Sequence, residues 1–233
     1  MRKLLWGPIL LFFLLSGCNP FQPLLNNYAI IDWVDFIKWD GKEYVGIFNG
    51  TLSDKVYLGN KIGQVRFKVA DNISDPYYRT KDGDAAFLKK GTEIYSIKGK
   101  PNLIAVKSPW DINGYRIYCD SEKEEIWQFS NLPFEKVQRV EIYQSNIKNR
   151  NQQINKLTLS KDIKTFIELL NEGVPHPNYT PHTQSSDPTS FQVIFYTGEP
   201  IAYNFNLQFD GKSYYWFPND TAVLPKEIEK YFP

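Results

Sequence analysis

Cys18 is the side chain best placed for covalent chemistry. It follows small Ser16 and Gly17 at the end of an apolar run of 12 residues, Leu4 to Leu15, with Arg2 and Lys3 before it. A second grouping is His176-Pro-Asn-Tyr-Thr-Pro-His182, with Asp187 just beyond. Imidazole and carboxylate ligate zinc, and a catalytic zinc needs three such ligands and a water. The proline-rich spacing fits no helix-based or strand-based ligand set, so an irregular surface loop is expected and no metal. Asp82-Gly83-Asp84 lacks the later ligands of a calcium loop and reads as a turn. Cys119 ends the strand-like run Tyr115-Arg-Ile-Tyr-Cys119. It reads as a small buried apolar residue, because a reactive thiol would want a histidine or a cationic setting nearby. The chain has no Gly-x-Ser-x-Gly elbow, no Ser-x-x-Lys with partner motifs and no glycine-rich phosphate loop opening a helix. Its two histidines offer few general bases. No motif sets apart a pair among its 26 acidic residues for glycosidase chemistry. No catalytic residue and no cofactor is therefore expected.

The order around Cys18 is a basic start, an apolar run, small residues and a cleavage point, the layout of a secretory signal. The run is too short to span a bilayer, which needs about 20 apolar residues, and Gly7-Pro8 interrupts it. Leu15-Ser16-Gly17-Cys18 resembles the lipobox of bacterial lipoprotein precursors. The resemblance implies that residues 1–17 are a signal peptide and that cleavage falls before Cys18. It further implies that fatty-acyl chains of the palmitate class are attached at the Cys18 sulfur. The protein would then sit at the cell membrane, lipid-anchored on its extracytoplasmic face. Two acyl chains anchor stably where one does not.

Charge adds little to that anchor. Of 27 basic residues two leave with the signal, so 25 stand against 26 acidic ones, a net of −1. This gives no basic footprint for nucleic acid and no polybasic support for membrane contact. With Cys18 carrying lipid, Cys119 is left without a disulfide partner. Aromatics are plentiful: 15 Tyr, 16 Phe and 6 Trp. Successive strand residues face opposite sides, so Tyr214-Tyr215-Trp216 is expected to turn at least one ring outward as a binding platform for a peptide or a sugar.

The elements that would position these groups divide the chain. Asn19-Pro20-Phe21-Gln22-Pro23 resists helix and strand alike, so residues 18–27 read as a tether and order is expected from Tyr28. Residues 28–130 read as β-rich. Asp40-Gly41 between aromatic and β-branched flanks is a hairpin signal. Gln64 to Val69 alternates like one half-buried strand, and Ala85–Leu88 and Thr92–Ile97 look like further short strands. Short strands at about ten-residue spacing suggest a barrel or roll. Asn131-Leu-Pro133 reads as the link to an α+β domain over 131–233. There Val137–Tyr143 and Lys156–Leu159 read as strands around a polar loop. Ser160 reads as the N-cap of a helix whose Ile163, Phe166, Ile167 and Leu170 make one apolar stripe, ended by Gly173. Strands Phe191–Tyr196, Ile201–Phe209 and Lys212–Phe217 follow, the last two joined through Asp210-Gly211. Pro225 opens a final short helix. The order is ββαβββα, a helix on an antiparallel sheet.

Asp84-Ala-Ala-Phe-Leu88 followed by Lys90-Gly-Thr-Glu-Ile-Tyr95, with the helix-then-hairpin second half, is similar to small Gram-positive lipoproteins of unknown function. That resemblance conveys no activity. The reading that results is a non-enzymatic binding or interaction module of the cell envelope, whose partner is a peptide, a wall component or a protein. The alternative is an envelope hydrolase with an unrecognised site.

Overall fold

The computed structural model describes residues 31–123, 128–145, 151–183, 187–218 and 221–233. Cys18, the signal and the tether lie outside the described residues. Residues 32–73 and 78–233 form one compact unit, to which residues 74–77 do not belong. In residues 74–77, Asp75 Oδ1 accepts the Tyr77 N–H at 2.9 Å. Among the described residues no helix is long and apolar enough to cross a membrane.

The first half of the large unit supplies β1 (Phe36–Trp39), β2 (Lys42–Ile47), β3 (Gly50–Leu52), β4 (Leu58–Gln64), β5 (Phe67–Lys68), β6 (Asp84–Ala85), β7 (Glu93–Ile97), β8 (Leu103–Lys107) and β9 (Tyr115–Asp120). All but β3 build one sheet in the order β4-β7-β8-β9-β2-β1-β6-β5. β1 and β2 meet in the expected hairpin, with φ 51° at Asp40 and 71° at Gly41. Both are positive, as that turn requires.

The two edge strands, β4 and β5, are separated in the chain only by Val65 and Arg66. The sheet therefore curls so that one edge strand runs on into the other through this corner, and it forms a half-barrel. Val65 is hydrogen-bonded across the corner, its N–H donating to Thr92 O at 2.8 Å and its carbonyl accepting from Gly91 N at 2.8 Å. The Gln64–Val69 alternation thus spans a corner and two strands instead of the single strand expected. The Trp39 ring lies against Gly63, where a Cβ would come within 2.0 Å of it. Ile37, Tyr44, Ile94, Ile104 and Tyr118 fill the inside of the curl.

The second half supplies β10 (Arg139–Gln144), β11 (Gln152–Leu157), α1 (Ser160–Asn171), β12 (Val174–Pro175), β13 (Thr189–Tyr196), β14 (Ile201–Phe209), β15 (Tyr214–Trp216) and β16 (Ala222–Val223). The second sheet runs β11-β10-β13-β14-β15-β16-β12. α1 buries its expected stripe, Ile163, Phe166, Ile167 and Leu170, against Val140, Ile142, Val193, Phe195 and Leu207. Ser160 is the first helical residue and not the cap. Leu159 takes that position, with no side-chain cap bond. The final helix is a 3-10 helix, Lys226–Tyr231, with Ile228 and Tyr231 buried.

The linker expected at Asn131–Pro133 lies between two 3-10 turns, Phe129–Asn131 and Phe134–Lys136. Leu132 is buried in the core under α1. β3, from the first half, pairs with β14, Leu52 opposite Ile201 and Gly50 opposite Tyr203. Leu52 and Ile201 then pack on Leu103, Ile117 and Cys119, the outer face of the half-barrel. This seam positions the site described next.

Candidate functional site

The residues singled out in the sequence fall in two places. His176 to His182 is a loop pinned to the β14–β15 turn. Tyr179 Oη donates to Asp210 Oδ2 at 2.6 Å, and the His182 backbone N–H donates to the same oxygen at 2.9 Å. Asp210 Oδ1 accepts the backbone N–H of Lys212 at 3.0 Å and of Ser213 at 2.9 Å. Burial pushes this carboxyl up, but the four donors outweigh it and hold it down at about 2. The loop meets Asp210 through a main chain and a phenol, not through an imidazole. Among the described residues no group of three His, Cys, Asp or Glu side chains stands at metal-binding distance.

The expected platform requires correction. Tyr214, Tyr215 and Trp216 are all buried. Tyr214 stacks on Phe209 with centroids 4.5 Å apart, and Trp216 packs on Phe129 at 5.0 Å. Tyr215 faces the other way, as strand alternation demands, but Tyr179 covers it at 4.8 Å and its hydroxyl donates to Gln208 Oε1 at 2.6 Å. The pinned loop removes the ring from solvent. Cys119 is buried as expected, its Sγ donating to Lys123 O at 3.4 Å.

The arrangement that sequence reasoning missed is centred on Glu141. Arg139, Glu141 and Tyr143 alternate along β10 and share one face, while Val140 and Ile142 point to the helix side. Cross-strand pairing sets Lys156 of β11 opposite Glu141 and Tyr196 of β13 opposite Arg139. A carboxylate with 9% of its side chain exposed is thereby surrounded by donors. Its Oε2 accepts from Tyr143 Oη at 2.8 Å and from Tyr196 Oη at 2.9 Å. Its Oε1 lies 3.1 Å from Arg139 Nε and 3.4 Å from Lys156 Nζ. Burial raises the Glu141 carboxyl, yet the two phenols and the two cations outweigh it and hold it below the usual range. Burial raises both Tyr143 and Tyr196, and the facing carboxylate adds to the shift. The guanidinium of Arg139 lies over the Tyr196 ring, 3.8 Å from its centroid.

The seam supplies the opposite wall. Asn113 adopts φ 62° and donates from Nδ2 to Leu52 O at 2.8 Å and to Tyr196 Oη at 3.3 Å. Thr51 Oγ1 donates to Ile112 O at 2.8 Å. These bonds hold the residues after β3 beside the sheet. Ser53 Oγ is anchored on Glu199 O at 2.6 Å, and Asp54 Oδ1 caps the Val56 N–H at 2.8 Å. Between Ser53–Lys55, Asn113 and the β10–β11 face lies an open cavity of about 410 Å3, which Gln153 also lines.

A signal for this site exists in Arg139-Val-Glu-Ile-Tyr143, where long hydrogen-bonding side chains occupy one face of a strand whose other face is apolar. What completes it, Ser53–Lys55 and Asn113, lies 84 and 26 residues or more before Arg139. The chain matches no known protein family, no curated protein and no solved structure.

Proposed function

We propose that this protein is a lipoprotein anchored through Cys18 to the extracytoplasmic face of the membrane, and that its body is a binding module of the envelope. The lipobox-like Leu15-Ser16-Gly17-Cys18 motif supports the anchor. The half-barrel is read as a roll, and residues 131–233 as a ββαβββα unit to which β3 and the two-residue strands β12 and β16 are added. The Glu141 cavity is the binding site.

One observation carries the choice of binding over catalysis. Both oxygens of Glu141 are already engaged by hydroxyls and cations, and its proton affinity is lowered. A general acid or base needs the opposite, a carboxyl with a free lone pair and a pKa near the working pH. Asp210 is saturated in the same way. What the cavity offers is shape, charge and hydrogen-bond donors around a fixed network, the means by which a site holds a polar partner.

The test incubates the purified full chain with solubilised wall fragments and follows both retention and mass. Fragments retained at unchanged mass support binding. A cleaved product formed by the wild type and lost in a folded Glu141→Gln variant would install the hydrolase reading instead.

A further inference from the structure

We infer that the cavity beside Glu141 binds the carboxylate of an envelope ligand, through Arg139, Lys156 and Lys55. This assignment rests on the binding reading above and narrows it to one chemistry.

What the cavity can still offer a ligand decides its chemistry. Its one buried carboxylate is consumed. Glu141 takes two phenolic hydroxyls and two cations. The Tyr196 oxygen takes Asn113 Nδ2, and one oxygen of Asp54 takes a main-chain N–H. Donors remain in surplus. Lys156 is 48% exposed and engages Glu141 with one nitrogen that can carry three protons. Lys55 stands exposed at the mouth. Arg139 is fixed by the Tyr196 ring and by Glu141, with 36% of its side chain exposed. Its Nε is buried and finds no hydrogen-bond acceptor, because Glu141 Oε1 lies near it in distance but not in direction.

Charge sharpens the choice. The lining carries three cations, Lys55, Arg139 and Lys156, against two carboxylates, Asp54 and Glu141. The surplus is one positive charge, which a single carboxylate balances. A phosphate dianion would exceed it and face Asp54 and Glu141 as well. A guanidinium already held in place loses little freedom when it takes a planar carboxylate with two parallel N–H bonds. The site is therefore preorganised at the group that would make the strongest contact.

Two envelope sources carry such a group: the free end of a peptide and an acidic sugar. Each has a neutral counterpart. The full chain, purified in detergent, is titrated by calorimetry with glycylglycine, glycylglycinamide, glucuronate and glucose. Binding by either carboxylate, at least about tenfold tighter than by its neutral counterpart, is the expected result. Which of the two binds identifies the source. Lys55→Gln, on an exposed side chain, should weaken binding about two- to fivefold without loss of fold. Arg139→Gln combined with Glu141→Gln removes the charges as a pair and should abolish it. The assignment is overturned if the neutral counterparts bind equally, if none of the four binds at about 10 mM, if inorganic phosphate binds better than either carboxylate, or if Lys55→Gln changes nothing. Those outcomes leave the binding reading to be judged by its own retention assay, in which only turnover by the wild type removes it.

Discussion

Tyr196 donates its hydroxyl to Glu141 Oε2 across the β10–β13 pair, at 2.9 Å, while the same ring carries Arg139 on its face. One aromatic side chain thus fixes both the anion and the cation of the site. Asn113 then ties the Tyr196 oxygen to the seam with the half-barrel. The cavity is consequently part of the joint between the two sheets, and changes at its floor should register in stability as well as in binding.

Glu141→Ala removes the acceptor for two phenols and leaves Arg139 and Lys156 facing each other. The expected loss is about 2–3 kcal/mol, below the figure for a fully buried pair because both cations reach solvent. Tyr196→Phe, which deletes the hydrogen bond to Glu141 and the one accepted from Asn113, should cost about 1–2 kcal/mol. Urea denaturation checks both, and a Glu141→Ala loss under about 0.5 kcal/mol would contradict the network as described.

Asp210 predicts an acid limb. Its carboxyl is held at about 2, below the ordinary 3.8, so its folded pKa is depressed. The stability it contributes is complete above the unfolded value and is lost as pH falls through the folded one. Denaturant midpoints should fall steadily between about pH 5 and pH 2. Asp210→Asn should flatten that slope and loosen the His176–His182 loop, seen as faster amide exchange at His182. An unchanged slope would mean that Asp210 is not the group responsible.

Elements in both halves were legible where their signals are local. The α1 stripe, the Asp40-Gly41 turn and the 201–209 strand each follow from neighbours a few residues apart. What was not legible depends on distant pairs. Nothing near Tyr215 announces that Tyr179 will cover it. Nothing near Gly50–Leu52 announces that β14 will take it as a partner. The β4–β5 corner shows the same limit. An alternating pattern reads identically whether a strand runs straight or breaks at Val65 to close a curl. The Glu141 site failed for that reason: its β10 face is written in five residues, but its far wall comes from Ser53–Lys55 and Asn113.

Trp216 and Tyr214 should behave as core. Trp216→Ala, which empties a pocket among Phe129, Phe205 and the helix side of the sheet, should cost about 3–5 kcal/mol. Thermal denaturation reads this directly. A folded variant of near wild-type stability would restore the exposed-platform reading.

Gly63 tests the curl of the first sheet. A methyl there would meet the Trp39 ring at 2.0 Å, so Gly63→Ala should cost about 1–3 kcal/mol. Adding Trp39→Ala should recover part of that cost, because the two residues are in contact and their effects are coupled. Strict additivity in the double variant would show that the ring does not lie against Gly63.

The central claim is a body tethered to the membrane by lipid at Cys18. Intact-mass spectrometry of the protein extracted from membranes tests it most directly, with Cys18→Ser alongside. The expected result is a mature chain that begins at Cys18 and carries the added mass of at least two acyl chains, and a Cys18→Ser protein with no acyl mass. A membrane-extracted chain that retains residues 1–17 and bears no lipid would contradict it.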